Sequence, residues 1–203
     1  SQGYGVSFLG LINNVAGDTT FLNTGLITLG NGTDTITFAG GLDTTSGMNG
    51  TSIGGTVLTT DTQMDLGAVT LTATSELDSG TAAASIINVG AVAGMGFGLT
   101  LDSGADAGAD ITVASLTGNG ALTVRGSGGT TFTNGVAADT VTLTNTTGTV
   151  VFGGNTTISD IAVTGQGLVT APQGPRVSFL GSFRYVPCDT TVSCCGLPSL
   201  GHV

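Results

Sequence analysis

Lysine and tryptophan are both missing from this chain, and positive charge is confined to Arg125, Arg176 and Arg184. Thirteen acids oppose them, all aspartate except Glu76, which leaves a formal net charge of -10 at pH 7. Nucleic acid is therefore not an expected partner, because the net charge repels phosphate and no basic stripe exists to release counterions. Attraction to an anionic lipid surface fails for the same reason. The absence of lysine also removes the usual amine base and Schiff-base nucleophile. The lone His202 has no evident Ser or Cys partner with an orienting acid, so nothing points to an enzyme. Tyr4 and Tyr185 are the only tyrosines, so platforms for stacking sugars are scarce.

Long apolar runs are nearly absent as well. Residues 82–101 carry no charge over the length of a membrane span, but Gly90, Gly94, Gly96, Gly98 and Asn88 dilute them. They are expected to be buried strands, with no membrane span. No secretory signal is seen, and the chain opens on Ser1, as a processed or excerpted extracellular chain would.

Glycine and threonine each supply nearly a fifth of the 203 residues, a length ample for a continuous core. Gly costs about 1 kcal/mol per helical position relative to Ala, and β-branched Thr and Val lose rotamer freedom in a helix. The same branched residues pack well on a pleated sheet. Period-two alternation follows in Thr35-Ile36-Thr37-Phe38, Val69-Thr70-Leu71-Thr72, Leu122-Thr123-Val124 and Val141-Thr142-Leu143-Thr144. Clusters at Gly30-Asn31-Gly32, Gly126-Ser127-Gly128-Gly129, Asn134-Gly135 and Gly153-Gly154-Asn155 read as turns between short strands.

Two periods organise these strands. The shorter one lays Thr131-Phe132 on Val151-Phe152 and, at the same offset, Val141-Thr142-Leu143-Thr144 on Ile161-Ala162-Val163-Thr164. The longer one lays residues 172–203 on residues 1–32 with 15 identities and no gap, including the run Val177-Ser178-Phe179-Leu180-Gly181 on Val6-Ser7-Phe8-Leu9-Gly10. The fold class expected is all-β, a right-handed parallel β-solenoid (β-helix) of about 20 residues per coil, in which each strand pairs with its equivalent one coil away. The alternative is a tandem pair of β-sandwich domains. Residues 1–171 then form one solenoid repeat unit, and residues 172–203 begin a second, divergent repeat containing all three cysteines. With strands about 4.8 Å apart, eight or nine coils rise roughly 40 Å.

Phrases such as Gly67-Ala68-Val69-Thr70-Leu71 and Gly148-Thr149-Val150-Val151-Phe152-Gly153-Gly154-Asn155 resemble the repetitive passenger regions of bacterial filamentous-haemagglutinin-type and autotransporter adhesins over residues 1–170. The resemblance implies a secreted, cell-surface right-handed β-helix serving as stalk, fibre or adhesin.

Several residues are candidates for chemistry. Gly30-Asn31-Gly32-Thr33-Asp34-Thr35-Ile36 matches part of the nonapeptide whose turns bind calcium in β-rolls, although such sites need consecutive copies and only one is present. The evenly spaced Asp102, Asp106 and Asp110 offer a second carboxylate set for calcium; the competing reading is that Asp favours turns by bonding its own backbone. No other cofactor is indicated. Cys188, Cys194, Cys195 and His202 have zinc-ligand chemistry, but adjacent cysteines do not readily face one metal and no C-x-x-C pair occurs. A disulfide from Cys188 to Cys194 or Cys195, or free thiols, is the simpler reading. Glu76 and Asp78 are the closest carboxylate pair and read as a solvated turn. Thr70-Thr72, Thr131-Thr133 and Thr140-Thr142-Thr144 are Thr-x-Thr ladders; alignment on one face would favour ice binding, and scatter would favour ordinary strand surface.

The functional expectation is an extracellular structural protein, a building block of a filament or long fibrous surface protein whose partners are copies of itself placed end to end. Val6, Phe8 and Leu9 at one end and Val177, Phe179 and Leu180 at the other are the assembly candidates. The alternative is an adhesin passenger domain that presents its loops or a flat face to a host or surface ligand; an ice-binding or a polysaccharide-active β-helix comes after these.

Overall fold

The computed structural model describes residues 2–163 in full and, beyond them, four strands by their backbone. The described residues contain no helix, and every strand-to-strand register among them is parallel. This is the right-handed β-solenoid expected from the periodicity. Parallel pairing between every pair of successive coils rules out the tandem β-sandwich, whose sheets are antiparallel.

Each coil has three faces. Face one begins with β1 (Val6–Phe8), β4 (Ile27–Leu29), β7 (Thr51–Ile53) and β10 (Val69–Leu71). Face two begins with β2 (Ile12–Val15), β5 (Thr35–Phe38), β8 (Thr56–Thr59), β11 (Ser75–Asp78) and β13 (Leu99–Asp102). Face three begins with β3 (Thr19–Thr20), β6 (Leu42–Asp43) and β9 (Met64–Leu66). Four longer strands then bend around corners and serve two or three faces: β12 (Ile87–Ala93), β14 (Asp110–Ser127), β16 (Val136–Thr146) and β18 (Thr156–Val163). Between them β15 (Gly129–Phe132), β17 (Thr149–Phe152) and β19 (Leu168–Ala171) continue face three. β20 (Val177–Phe179), β21 (Phe183–Tyr185) and β22 (Val192–Cys194) lie on faces one, two and three of the ninth coil.

Alternation explains both the strands and the core. In β5, Ile36 and Phe38 point inward and are almost fully buried while Thr35 and Thr37 are partly exposed. The same rule stacks Leu29, Ile53 and Leu71 into one inward column and Val69, Val92 and Leu116 into its neighbour, each side chain contributing roughly 1.5–3 kcal/mol on burial. Of the uncharged run 82–101, residues 87–93 and 99–101 lie in β12 and β13, with Ile87, Val89, Val92, Leu99 and Leu101 inside, whereas Met95 and Phe97 in the turn between the two strands are exposed.

The shorter sequence period is physical pairing: Thr131 lies beside Val151, Phe132 beside Phe152, and Val141 beside Ile161. The Phe132 and Phe152 rings stack at 5.3 Å with 6° between their planes. The period is not constant, however. Along face one Val6 pairs with Ile27, Ile27 with Thr51 and Thr51 with Val69, so the second coil is longer than the first and the third is shorter than either. The glycine cluster at 126–129 is also not the open turn expected: β14 runs to Ser127, β15 starts at Gly129, and Gly128 alone makes the corner. Its glycine requirement is close approach and not positive φ, since a Cβ there would lie 2.3 Å from the Asp106 carbonyl oxygen.

Candidate functional site

Face two brings together four charged side chains from three successive coils. The sequence reads Glu76 and Asp78 as a solvated turn; they are in fact on β11, pointing outward on either side of the buried Leu77. The strand assignment prevails because Ser75-Glu76-Leu77-Asp78 keeps the alternation that buries Leu77 and pairs in register with both β8 and β13. That register sets Asp78 directly beside Asp102, an unfavourable like-charge neighbour. Arg125, one coil further along, offsets it. Its Nη2 lies 2.5 Å from Glu76 Oε1 and 3.2 Å from Asp78 Oδ2, and its Nε donates to Asp102 Oδ2.

Burial pushes the Asp78 carboxyl above the ordinary carboxylate range, and the Asp102 charge adds to this, against the Gly80 N–H and Arg125, which pull it down. The hydrogen bond to Asp102 holds Arg125 protonated still more firmly than an ordinary guanidinium, with the nearby Glu76 charge helping. The cluster acts as an electrostatic clasp across three coils. Arg125 is the only basic side chain among residues 1–175, and its partners lie one and two coils earlier. That uniqueness was the available signal; the pairing was invisible because Asp102 and Asp78 precede Arg125 by 23 and 47 positions.

The calcium candidates are spread along the solenoid. Asp34 is buried and accepts a hydrogen bond from the Asn31 N–H at 3.1 Å, closing its own turn. Asp102 accepts from the Gly104 N–H at 2.9 Å besides its bond from Arg125, and Asp106 accepts from the Gly108 N–H at 3.2 Å. Asp110 opens β14 and is exposed. Among the described residues no three His, Cys, Asp or Glu side chains are grouped to hold a metal ion. Cys188, Cys195 and His202 fall outside the described residues, and Cys194 is placed by backbone alone, beside Ala171 at the end of β22.

On face three Asp18, Asp43 and Asp65 line an open cleft of about 300 Å³ with Thr20 and Gln63. Asp43 and Asp65 are register neighbours, yet each has its own donors, from its own coil or the next. Asp65 accepts from Gln63 Nε2 and Asn88 Nδ2, and Asp43 from the Thr45 N–H and hydroxyl. Asp61 works similarly between coils: the Thr81 and Ala82 N–H groups donate to its Oδ1 and hold its carboxyl below the ordinary range.

The three Thr-x-Thr ladders separate onto three faces. Thr70 is on face one, Thr142 on face two and Thr131 on face three. They form no single flat array, which is the ordinary strand-surface arrangement.

The assembly candidates show a different order. Val6 and Phe8 are partly buried against the core, and Leu9 is exposed. Val177 and Phe179 lie on the same face in β20, paired with β18. Leu180 is outside the described residues. Among the described residues β1, β2 and β3 each have a single neighbour, β4, β5 and β6. Comparison with known protein families, curated proteins and solved structures finds no match to this chain.

Proposed function

We propose that this chain is the structural unit of an extracellular fibre, a solenoid segment continued end to end in a filament or long surface protein. The reading rests on the phase of its repeat. Following face one through its registers, Val6-Ser7-Phe8 reaches Val177-Ser178-Phe179 after eight coils, so the long sequence period is a whole number of coils. A solenoid extends without a break in its core or its hydrogen-bonded columns only when its repeat has this property. On face two the registers connect Ile12 to Arg184, one position past the Phe183 that the sequence repeat aligns with it. On face three they connect Thr19 to Val192, two positions past its repeat equivalent Thr190. The registers of the ninth coil are thus displaced from the sequence repeat by one residue on face two and by two on face three, while face one stays in phase.

The surface supports the same role. Asp34, Asp43, Asp61, Asp65, Asp78, Asp102 and Asp106 all bond groups within or between coils, and the charged cluster on face two ties coils together. The extracellular setting rests on the resemblance of the Gly/Thr/Asn-rich strands to secreted fibrous passenger regions. Electron microscopy of the purified chain tests the proposal: filaments with an axial repeat of about 38 Å are expected from eight coils spaced about 4.8 Å apart. Monodisperse particles at all concentrations would overturn it.

A further inference from the structure

We infer that the edge of coil eight is a strand-acceptor site with two alternative occupants: the chain's own β20–β22 segment and the first coil of a second copy. This deepens the fibre reading, on which it rests, by naming the joint and its register.

The occupant seen in the structure is the chain's own. β20 lies on β18 with Val177 beside Thr156, Ser178 beside Thr157 and Phe179 beside Ile158. The same tripeptide, Val6-Ser7-Phe8, forms β1, and Leu-Gly follows it in both places. Among the described residues β1 pairs only with β4, so its other edge has its backbone groups free for another strand. What β18 accepts from residues 177–179 it can therefore accept from residues 6–8 of another molecule, with the same three residue types in the same register. This is parallel strand addition, in which main-chain bonds supply affinity and alternate side chains supply specificity.

The apolar surface falls where this joint needs it. Of the nine exposed large apolar side chains among the described residues, six belong to residues 4–26: Tyr4, Leu9, Leu11, Ile12, Leu22 and Leu26. The core is also open there, because Val6 and Phe8 are only partly buried. Another coil eight laid against this end would continue the apolar column, with Ile158 next to Phe8 as it is next to Phe179 in one chain. Within a chain the tethered segment has a high effective concentration, so it prevails in dilute solution and the second copy takes over as protein concentration rises. Polymerisation then has a threshold concentration. Stacking of coil one on coil nine instead would add a coil to each unit and lengthen the axial repeat to about 43 Å.

Disulfide trapping in a full-length chain carrying Cys188→Ser, Cys194→Ser and Cys195→Ser tests the joint. Directly opposed Cα atoms of adjacent strands lie about 4.8 Å apart, within the roughly 4.4–6.8 Å that a disulfide spans. Ser7 and Thr157 are both exposed. Ser7→Cys with Thr157→Cys should give, on oxidation at high concentration, a ladder of disulfide-linked multimers on a non-reducing gel. Thr157→Cys with Ser178→Cys should instead link within one chain and give oxidised monomers that fail to elongate until reduced. Filaments whose Ser7→Cys/Thr157→Cys chains stay unlinked, or an oxidised Thr157→Cys/Ser178→Cys chain that polymerises as readily as its parent, would overturn the joint and leave the fibre reading standing. A cysteine-free parent that never forms filaments would overturn both.

Discussion

Before residue 110 most faces of a coil are separate strands of two to four residues, whereas beyond it the chain runs through its corners in strands of up to 18 residues. Coil length follows this difference. On face one the registers step unequally from Val6 through Ile27, Thr51, Val69 and Val92 to Leu116. From Leu116 through Val136 and Thr156 to Val177 the steps agree to within a single residue. Corners made of loops absorb insertions, so each early coil presents a different inward set. At the N-terminal end Phe8, Phe21 and Phe38 meet edge to face at 5.6–6.2 Å between centroids. Short corners, such as the single Gly128 between β14 and β15, make successive coils equivalent, and equivalent side chains such as Phe132 and Phe152 stack. Regularity in a solenoid is thus a property of its corners more than of its strands.

The largest effect should come from the regular half. Phe132→Ala removes a fully buried ring from the stack and is expected to cost about 3–5 kcal/mol in urea unfolding. Phe8→Ala, at the partly covered first coil, should cost less than half as much. Equal losses would mean that the two halves are packed alike.

Next comes the corner itself. A Cβ at Gly148 would lie 1.9 Å from the Gly128 carbonyl oxygen, a backbone atom that cannot swing away. Gly148→Ala should therefore cost about 1–3 kcal/mol. Gly17→Ala, where nothing lies within 4 Å, should leave the unfolding midpoint unchanged. If both are neutral, the tight corner is not what keeps the later coils regular.

Arg125 ties the two halves together, and its loss should be smaller. Its side chain is 47% exposed, so solvent screens the clasp and Arg125→Met should cost no more than about 1 kcal/mol. Added salt should erase the difference between variant and parent.

The smallest effects should appear in the pH dependence. The folded chain holds the Asp78 proton at pH values where the unfolded chain, titrating near the ordinary carboxylate value of about 3.9, has released it. Asp78 thus makes stability fall as pH rises from about 3.9 through its raised folded value. Asp61 has the opposite sign: its contribution is complete above about 3.9 and is lost as pH falls through its lowered folded value. Thermal midpoints measured against pH should lose the first slope in Asp78→Asn and the second in Asp61→Asn. Unchanged slopes would show that other carboxylates control the acid response.

Strand identity, the parallel pairing of Phe132 with Phe152 and the long axial period that returns Val6 to Val177 were all legible in the amino-acid order. They arise from alternation and recurrence, which survive in a linear chain because side-chain direction along a strand depends only on parity. The clasp around Arg125, the strand character of Glu76 and Asp78, the one-glycine corner at Gly128 and the dispersal of the threonine ladders over three faces were not. Each depends on which face a residue reaches, and that is the accumulated sum of every preceding corner length. A single added corner residue moves a side chain to the opposite side of its strand or beside a different neighbour, so these contacts took shape only when the coils closed and paired.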